Sequence, residues 1–249
     1  MMRVTIKASD VAAVIGRHIY KPRSEVFAET WKKYKPETFT GKTRKDLAND
    51  ILRESPLARD VLSIVSGLKP KNSSEVQEIT SNVRIEINKD PVLSQAKKDE
   101  IISHITSRVY TSHGTRSEDK TSDKVVAETG ATLVKDNAFY NHEICMLGDI
   151  RFVLTGKIDR IEECPDGSKI LVEIKNRTNR LFGRVVEYEN IQVQVYLQML
   201  GLVRGRLVEQ YNNQVLSHEI IRDEELWSNV IQPGLRSFCE ELHNSWNNI

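Results

Sequence analysis

The segment GKIDRIEECPDGSKILVEIKNR (156–177) constrains this chain more than any other. Pro165-Asp166-Gly167 at its centre is a turn with a mechanism: proline presets its own dihedral and glycine takes the left-handed position. Strand-like residues flank it, so the segment reads as a β-hairpin. With the turn centred on Asp166, Asp159 faces Glu173, Lys157 faces Lys175 and Ile161 faces Leu171. Directly opposed residues point to one face with Cβ atoms about 5 Å apart. Alternation along the strand puts Glu173 and Lys175 on that same face. Ile170, Val172 and Ile174 occupy the other face and read as core. One face of the hairpin therefore carries two opposed carboxylates with a lysine beside them.

Two readings of that face stand side by side. Scattered charges on a strand are usually a solvated surface. Like charges directly opposite one another are destabilising, however, and a divalent cation held by oxygen ligands removes the repulsion. The apolar surroundings (FVLTG before the hairpin, ILV and Ile174 within it) and the order D…E-x-K favour the second reading.

Around this hairpin the chain reads in three parts. Residues 1–38 suggest two short helices, Asp10–Ile15 capped by Ser9 and stopped at Gly16, and a second one capped by Ser24 and running to Tyr34. Residues 39–112 are polar, lysine-rich and helical in pattern, with Leu47, Ile51, Leu52, Leu57, Val61, Leu62 and Ile64 at roughly helical spacing. They read as a surface helical insertion within a single domain spanning 1–249, with a break at Asp90-Pro91. Residues 113–249 give a helix from about Thr115 to Thr129 and strands near 131–136, 139–146, 150–163 and 169–176. A helix over about 185–202 follows, then a hairpin turned at Asn212-Asn213 and a C-terminal helix from about Asp223. That order indicates an α/β fold with a mixed central sheet flanked by helices.

Composition narrows the function classes. No run of about eighteen apolar residues exists, which argues against a membrane span, and the N-terminus does not read as a secretory leader. Cys145, Cys164 and Cys239 are scattered without C-x-x-C spacing, which suits an intracellular, reducing compartment rather than a disulfide framework or a zinc site. The six histidines form no pair at ligand spacing, and His113 reads as incidental. With a net charge of only +1, nucleic-acid contact would need a local basic patch.

Ile158-Asp159…Glu173-Ile174-Lys175 resembles the PD-(D/E)XK nuclease signature, with isoleucine in place of proline before the aspartate. Gln192-Val-Gln-Val-Tyr196 resembles the Q-x-x-x-Y element of the RecB-like branch, and its i, i+4 spacing places both side chains on one helix face. His113-Gly-Thr-Arg-Ser-Glu118 resembles the G-x-x-x-E helix start of the phage lambda exonuclease and YqaJ-type viral recombinase family. Thr5-Ile-Lys-Ala-Ser9-Asp-Val11, with Gly16 and Tyr20-Lys21 after it, is similar to that family's T-A-S-x-V start. The motifs occur in the family's order and span residues 1–35 and 113–249; segment 39–112 departs from the pattern.

The resemblance implies a restriction-endonuclease-like core and a metal-dependent DNA exonuclease acting from 5′-phosphorylated duplex ends in recombination or replication. Mg²⁺ is the implied cofactor, with Mn²⁺ as its substitute. Glu118, Asp159, Glu173 and the Ile174 carbonyl would hold the metal. Lys175 would position or activate water, and Gln192 and Tyr196 would support the site. Ser9 would meet a terminal phosphate, although as a helix N-cap it has an equally good structural role. Glu118 in a helix's first turn would equally suit the dipole. Arg3 and Arg180 lie near, not at, the family's arginine positions. Arg177, Arg180 and Arg184 follow the E-x-K strand, either as solvated surface or as contacts to backbone phosphates. A single-strand annealing protein and a homo-oligomer are the implied partners. A structure-specific or single-strand endonuclease, and a non-catalytic DNA-binding module, are the alternatives.

Overall fold

In the computed structural model, residues 1–247 are described. They form two sheets, one of three strands and one of five. In the first, β1 (Met2–Lys7) runs parallel to β4 (Ile150–Gly156), and β3 (Tyr140–Leu147) pairs antiparallel with β4. In the second, β5 (Arg160–Glu163) and β6 (Lys169–Asn176) form the hairpin, with β2 (Thr132–Val134) on its outer edge. β7 (Arg204–Tyr211) lies parallel to β6, and β8 (Gln214–Ile221) closes the sheet antiparallel to β7.

A parallel pair needs a crossover, and α7 (Glu187–Leu200) supplies it between β6 and β7. Its residues Ile191, Val193 and Leu197 pack with Leu171 and Leu207 in the main core, which also takes in Val4, Ile6, Phe152 and Leu154 of the first sheet. The opposite face of the second sheet is covered as well, by Val125 against Val172, Ile174 and Val208. β6 is thus buried on both sides, which explains its nearly unbroken aliphatic run. Beyond β8 the chain continues through α8 (Glu224–Leu226), a π-helical turn (Trp227–Ile231) and α9 (Gln232–Asn247). Leu235, Phe238 and Leu242 of α9 complete the main core. No helix among the described residues is long and apolar enough to cross a membrane.

Segment 44–129 is four helices: α3 (Arg44–Glu54), α4 (Pro56–Gly67), α5 (Ser73–Asn88) and α6 (Gln95–Thr129). Their starts follow from local chemistry. Thr43 and Asp46 form a capping box, Ser55 caps α4 with Pro56 at its first position, and Asn72 caps α5. Ala48, Ile51, Ala58, Val61, Val83, Ile87, Ile101 and Ile105 make a second core, separate from the first.

Several local expectations are corrected. The chain opens on a strand, β1, whose Val4 and Ile6 are buried. Ser9 does not cap a helix: it is exposed within a 3₁₀ turn (Ala8–Asp10) that leads into α1 (Val11–Val14). The residue capping α2 (Arg23–Tyr34) is Pro22, so Ser24 lies inside its first turn. No helix starts near Thr115, because α6 runs unbroken for 35 residues. Its buried positions Ile101, Ile105, Val109, His113, Thr121 and Val125 mostly recur every fourth residue. A step of four advances the stripe by about 40° around the helix. The same stripe therefore faces the helical core at one end and β6 at the other, and a sequence window sees two short helices.

Candidate active site

The β5–β6 register is the one that the Pro165-Asp166-Gly167 turn dictates, with Ile161 opposite Leu171 and Arg160 opposite Val172. Gly167 holds φ at +80°, the left-handed conformation which the turn needs. The ladder ends at Arg160, so Lys157 does not pair with Lys175 and Asp159 lies just past the last paired residue. Asp159 still reaches β6, because its Oδ2 accepts the Ile174 N–H at 2.8 Å. A carboxylate takes the place of the next ladder bond.

The 157–159 connection is fixed from below. Tyr196 is buried, and its hydroxyl donates to the Lys157 carbonyl at 2.9 Å. Gly156 just before it has no room for a side chain: a Cβ there would lie 2.5 Å from the Tyr196 ring and 2.9 Å from Ala8 Cβ. That packing also sets Ala8 and the exposed Ser9 beside the end of β4.

Glu173 is 4% exposed, which removes the reading of this face as a wet strand surface. Its Oε1 accepts from Lys175 Nζ at 2.9 Å and from Gln192 Nε2 at 2.8 Å, while Lys175 also donates to Gln192 Oε1 at 3.0 Å. Its Oε2 is buried and has no hydrogen-bond partner among the described residues. Burial, reinforced by Glu173 and Glu118, pushes the Asp159 carboxyl up to about 8 against the opposing pull of the Ile174 N–H and Lys175. Glu118 is likewise raised, by burial first and then by Glu173. Burial works against the Lys175 ammonium, but Glu173, Glu189 and Asp159 outweigh it and hold its pKa above the usual lysine value.

Glu118 comes from the middle of α6, not from a helix start. Two straps hold that helix over the strands. Thr121 Oγ1 and the Asn176 amide oxygen lie at 2.6 Å, and Asn176 Nδ2 donates to the Gly114 carbonyl at 3.0 Å. Arg160, 4% exposed, pairs with Asp119 and donates to Ser122 Oγ at 3.2 Å and to the Asp159 carbonyl at 2.6 Å.

No three or more His, Cys, Asp or Glu side chains among the described residues are gathered as a ready metal site. The donor set nonetheless fits a hard divalent cation. Three carboxylates act on one another, one buried carboxylate oxygen is unpartnered, and one carboxyl is driven toward its neutral form by burial and then by like charge. Mg²⁺ keeps several waters and binds through one or two carboxylates plus substrate phosphates rather than in an all-protein cage. An open arrangement is what such an ion accepts.

Of the arginines after the strand, Arg177 is not free for phosphate. Its guanidinium donates to both Glu189 oxygens at 2.6 and 2.8 Å and to Glu209 at 2.8 Å, and its side chain is 10% exposed. Arg180 and Arg184 are exposed and line an open cleft instead.

Neither a family model nor a curated protein sequence matches the chain. Among solved structures, an alkaline exonuclease from Laribacter hongkongensis superposes with a TM-score of 0.52 at 14% identity, over 96% of this chain and 88% of that one. A phage-related exonuclease from Haemophilus somnus 129PT gives a TM-score of 0.44 at 11% identity, over 97% and 96%. The chain has the fold of the Laribacter exonuclease. The expected class, a mixed α/β core flanked by helices, is the observed one, although the strands divide between two sheets rather than forming one central sheet.

Sequence reasoning missed Arg160, Asn176, Glu189 and Glu209. Arg160 had a signal, since alternation puts it on the face opposite Ile161, toward α6. Glu209 is fully buried, yet its partners Arg177, His218 and the Phe182 N–H come from distant positions. No local pattern announces them.

Proposed function

We propose that the chain is a divalent-metal-dependent DNA nuclease, an exonuclease of the lambda/YqaJ type that acts from 5′-phosphorylated duplex ends in recombination or replication. The observation that carries this reading is the low-dielectric cluster of Glu118, Asp159 and Glu173, with Lys175 locked against it by Glu173 and Gln192. The nuclease-like fold and the D…E-x-K order support it. Glu118, Asp159, Glu173 and the Ile174 carbonyl would hold Mg²⁺ or Mn²⁺. When bound, such an ion supplies charge neutralisation at the phosphate and a more acidic water.

The chain's own residues then have distinct tasks. Lys175, held as an ammonium, positions water or meets the charge developing on phosphorus rather than accepting a proton. Gln192 fixes the direction of that ammonium by bonding both Lys175 and Glu173. Tyr196 is a positioning residue, acting through the Lys157 carbonyl on the 157–159 connection. Ser9, exposed beside the end of β4, offers a hydroxyl to a terminal phosphate. A single-strand annealing partner, a homo-oligomer and an intracellular setting belong to the same reading.

The test is degradation of linear DNA with 5′-phosphate or 5′-hydroxyl ends, and of closed circular DNA, with Mg²⁺ or Mn²⁺. Phosphorylated ends are expected to be digested fastest and circles left intact. Asp159→Asn and Lys175→Ala are expected to lower the rate by about 10²-fold or more while remaining folded. Full activity in either variant overturns the assignment. Cleavage of circles replaces the exonuclease with an endonuclease, and equal rates on both end types remove the role of Ser9.

A further inference from the structure

Past the end of β6, two loops and the start of α7 form a cleft of about 460 Å³. Arg17 and Tyr20 come from the loop between α1 and α2. Arg180, Phe182 and Arg184 come from the loop after β6, and Tyr188 comes from the first turn of α7. Tyr20 is 71% exposed and Phe182 38%.

These rings are held in place. His18 Nδ1 accepts the N–H of Tyr20 at 3.1 Å and of Lys21 at 3.0 Å, and the imidazole lies against Tyr188 with centroids 4.6 Å apart. Tyr20 meets the Tyr188 ring edge-on at 6.1 Å. Across the cleft, Arg177 covers one face of Phe182 at 3.9 Å, and Glu209 accepts the Phe182 N–H at 2.8 Å. Arg180 and Arg184 are exposed and enter no ion pair among the described residues. Arg17 meets Glu187 at 3.3 Å, but both side chains are more than half exposed, so that pair yields readily to a stronger anion. Arg177 ties the cleft to the reaction centre, standing two residues past Lys175 and gripping Glu189, one of the carboxylates acting on that lysine.

We propose that this cleft binds unpaired nucleotides of a single-stranded DNA segment, with bases stacked on Tyr20 and Phe182 and phosphates on Arg180 and Arg184. Its role beside a reaction centre rests on the nuclease reading above. Duplex bases are already stacked on one another and offer only their edges. An unpaired strand offers base faces, which aromatic side chains take with little regard to sequence, and arginines track its phosphates. The ordered loops make the rings a preformed platform, so less entropy is lost on binding.

The experiment is fluorescence anisotropy with an end-labelled oligothymidylate of about 12 nucleotides and with a blunt duplex of equal length, in EDTA so that no cleavage occurs. Tyr20→Ala is expected to weaken oligothymidylate binding about 5- to 100-fold, the loss of one stacked base, with a much smaller change on duplex. Tyr20→Trp is expected to restore it. The Arg180→Ala/Arg184→Ala variant is expected to flatten the salt dependence of oligothymidylate binding. Unchanged oligothymidylate affinity in Tyr20→Ala, or equal losses on both ligands, overturns the proposal even if the wild type degrades DNA with metal. Tyr20-dependent oligothymidylate binding by a wild type that cleaves no DNA upholds the cleft and removes the nuclease reading.

Discussion

Without metal, the Asp159 carboxyl is pushed up to about 8 by burial and by Glu173 and Glu118. In the unfolded chain an aspartate titrates near 3.9, so the folded state holds this proton more tightly. The stabilisation from that difference is complete below the unfolded value and is lost as pH rises through the folded one. Metal-free protein is therefore expected to lose stability between about pH 4 and pH 8 through this group. Asp159→Asn keeps an oxygen to accept the Ile174 N–H but has no charge to bury. In EDTA at pH 8.5 its thermal midpoint is expected to exceed the wild type's, by roughly 2–4 °C for each kcal/mol released, and the gap is expected to close toward pH 5. Adding Mg²⁺ at pH 8.5 is expected to raise the wild type's midpoint and leave the variant's in place. Parallel pH profiles for the two proteins contradict this account of the cluster. The same residue shows what local sequence can and cannot tell. The turn set the hairpin register, and Asp159, Glu173 and Lys175 meet near where that register puts them. The bond from Asp159 to the Ile174 amide arises because the ladder ends one residue early, which no turn rule foretells.

At the scale of elements, Arg177 separates two explanations of the segment after β6. As a phosphate contact, its loss would weaken DNA binding evenly and lower the salt slope by about one, with stability unchanged. As the cation between buried Glu189 and Glu209, its loss strands two carboxylates in the core. Arg177→Ala is then expected to cost about 3–5 kcal/mol in urea unfolding, and Arg177→Lys to recover only part of it, because an ammonium cannot reproduce the forked geometry. A variant as stable as the wild type returns Arg177 to the candidate phosphate contacts. In sequence, Arg177 looked like Arg180 and Arg184, since all three sit in one polar run. The difference is set by Glu189 and Glu209, which the α7 crossover brings in from 12 and 32 residues away. β1 escaped detection for another reason: a short apolar run followed at once by a helical turn has no period long enough to identify it.

At the scale of the whole molecule, two apolar cores share one helix. Residues 95–109 of α6 serve the helical core with Ile101 and Ile105, and residues 121–125 serve the sheet with Val125. Outside α6, the links between the helical segment and the second sheet include polar ones, such as Ser73 to Asn212 and Gln77 Nε2 to the Thr178 carbonyl at 2.6 Å. Regions joined mainly by polar contacts open separately at lower free energy than the global transition. Glu118 lies between the two cores, but the Asn176 and Arg160 straps hold its part of α6 to the sheet. The helical core should thus open without dispersing the carboxylates. Ile101→Ala removes a fully buried side chain, a change that costs about 2–5 kcal/mol in a packed core. Hydrogen exchange is expected to speed up in this variant over residues 44–88, while residues 170–175 and 204–210 keep their protection and the proposed DNA degradation persists. Equal loss of protection in both regions would instead mean that α6 transmits the damage whole. In that case the carboxylate cluster depends on the helical core for its stability as well as for the helix that carries Glu118.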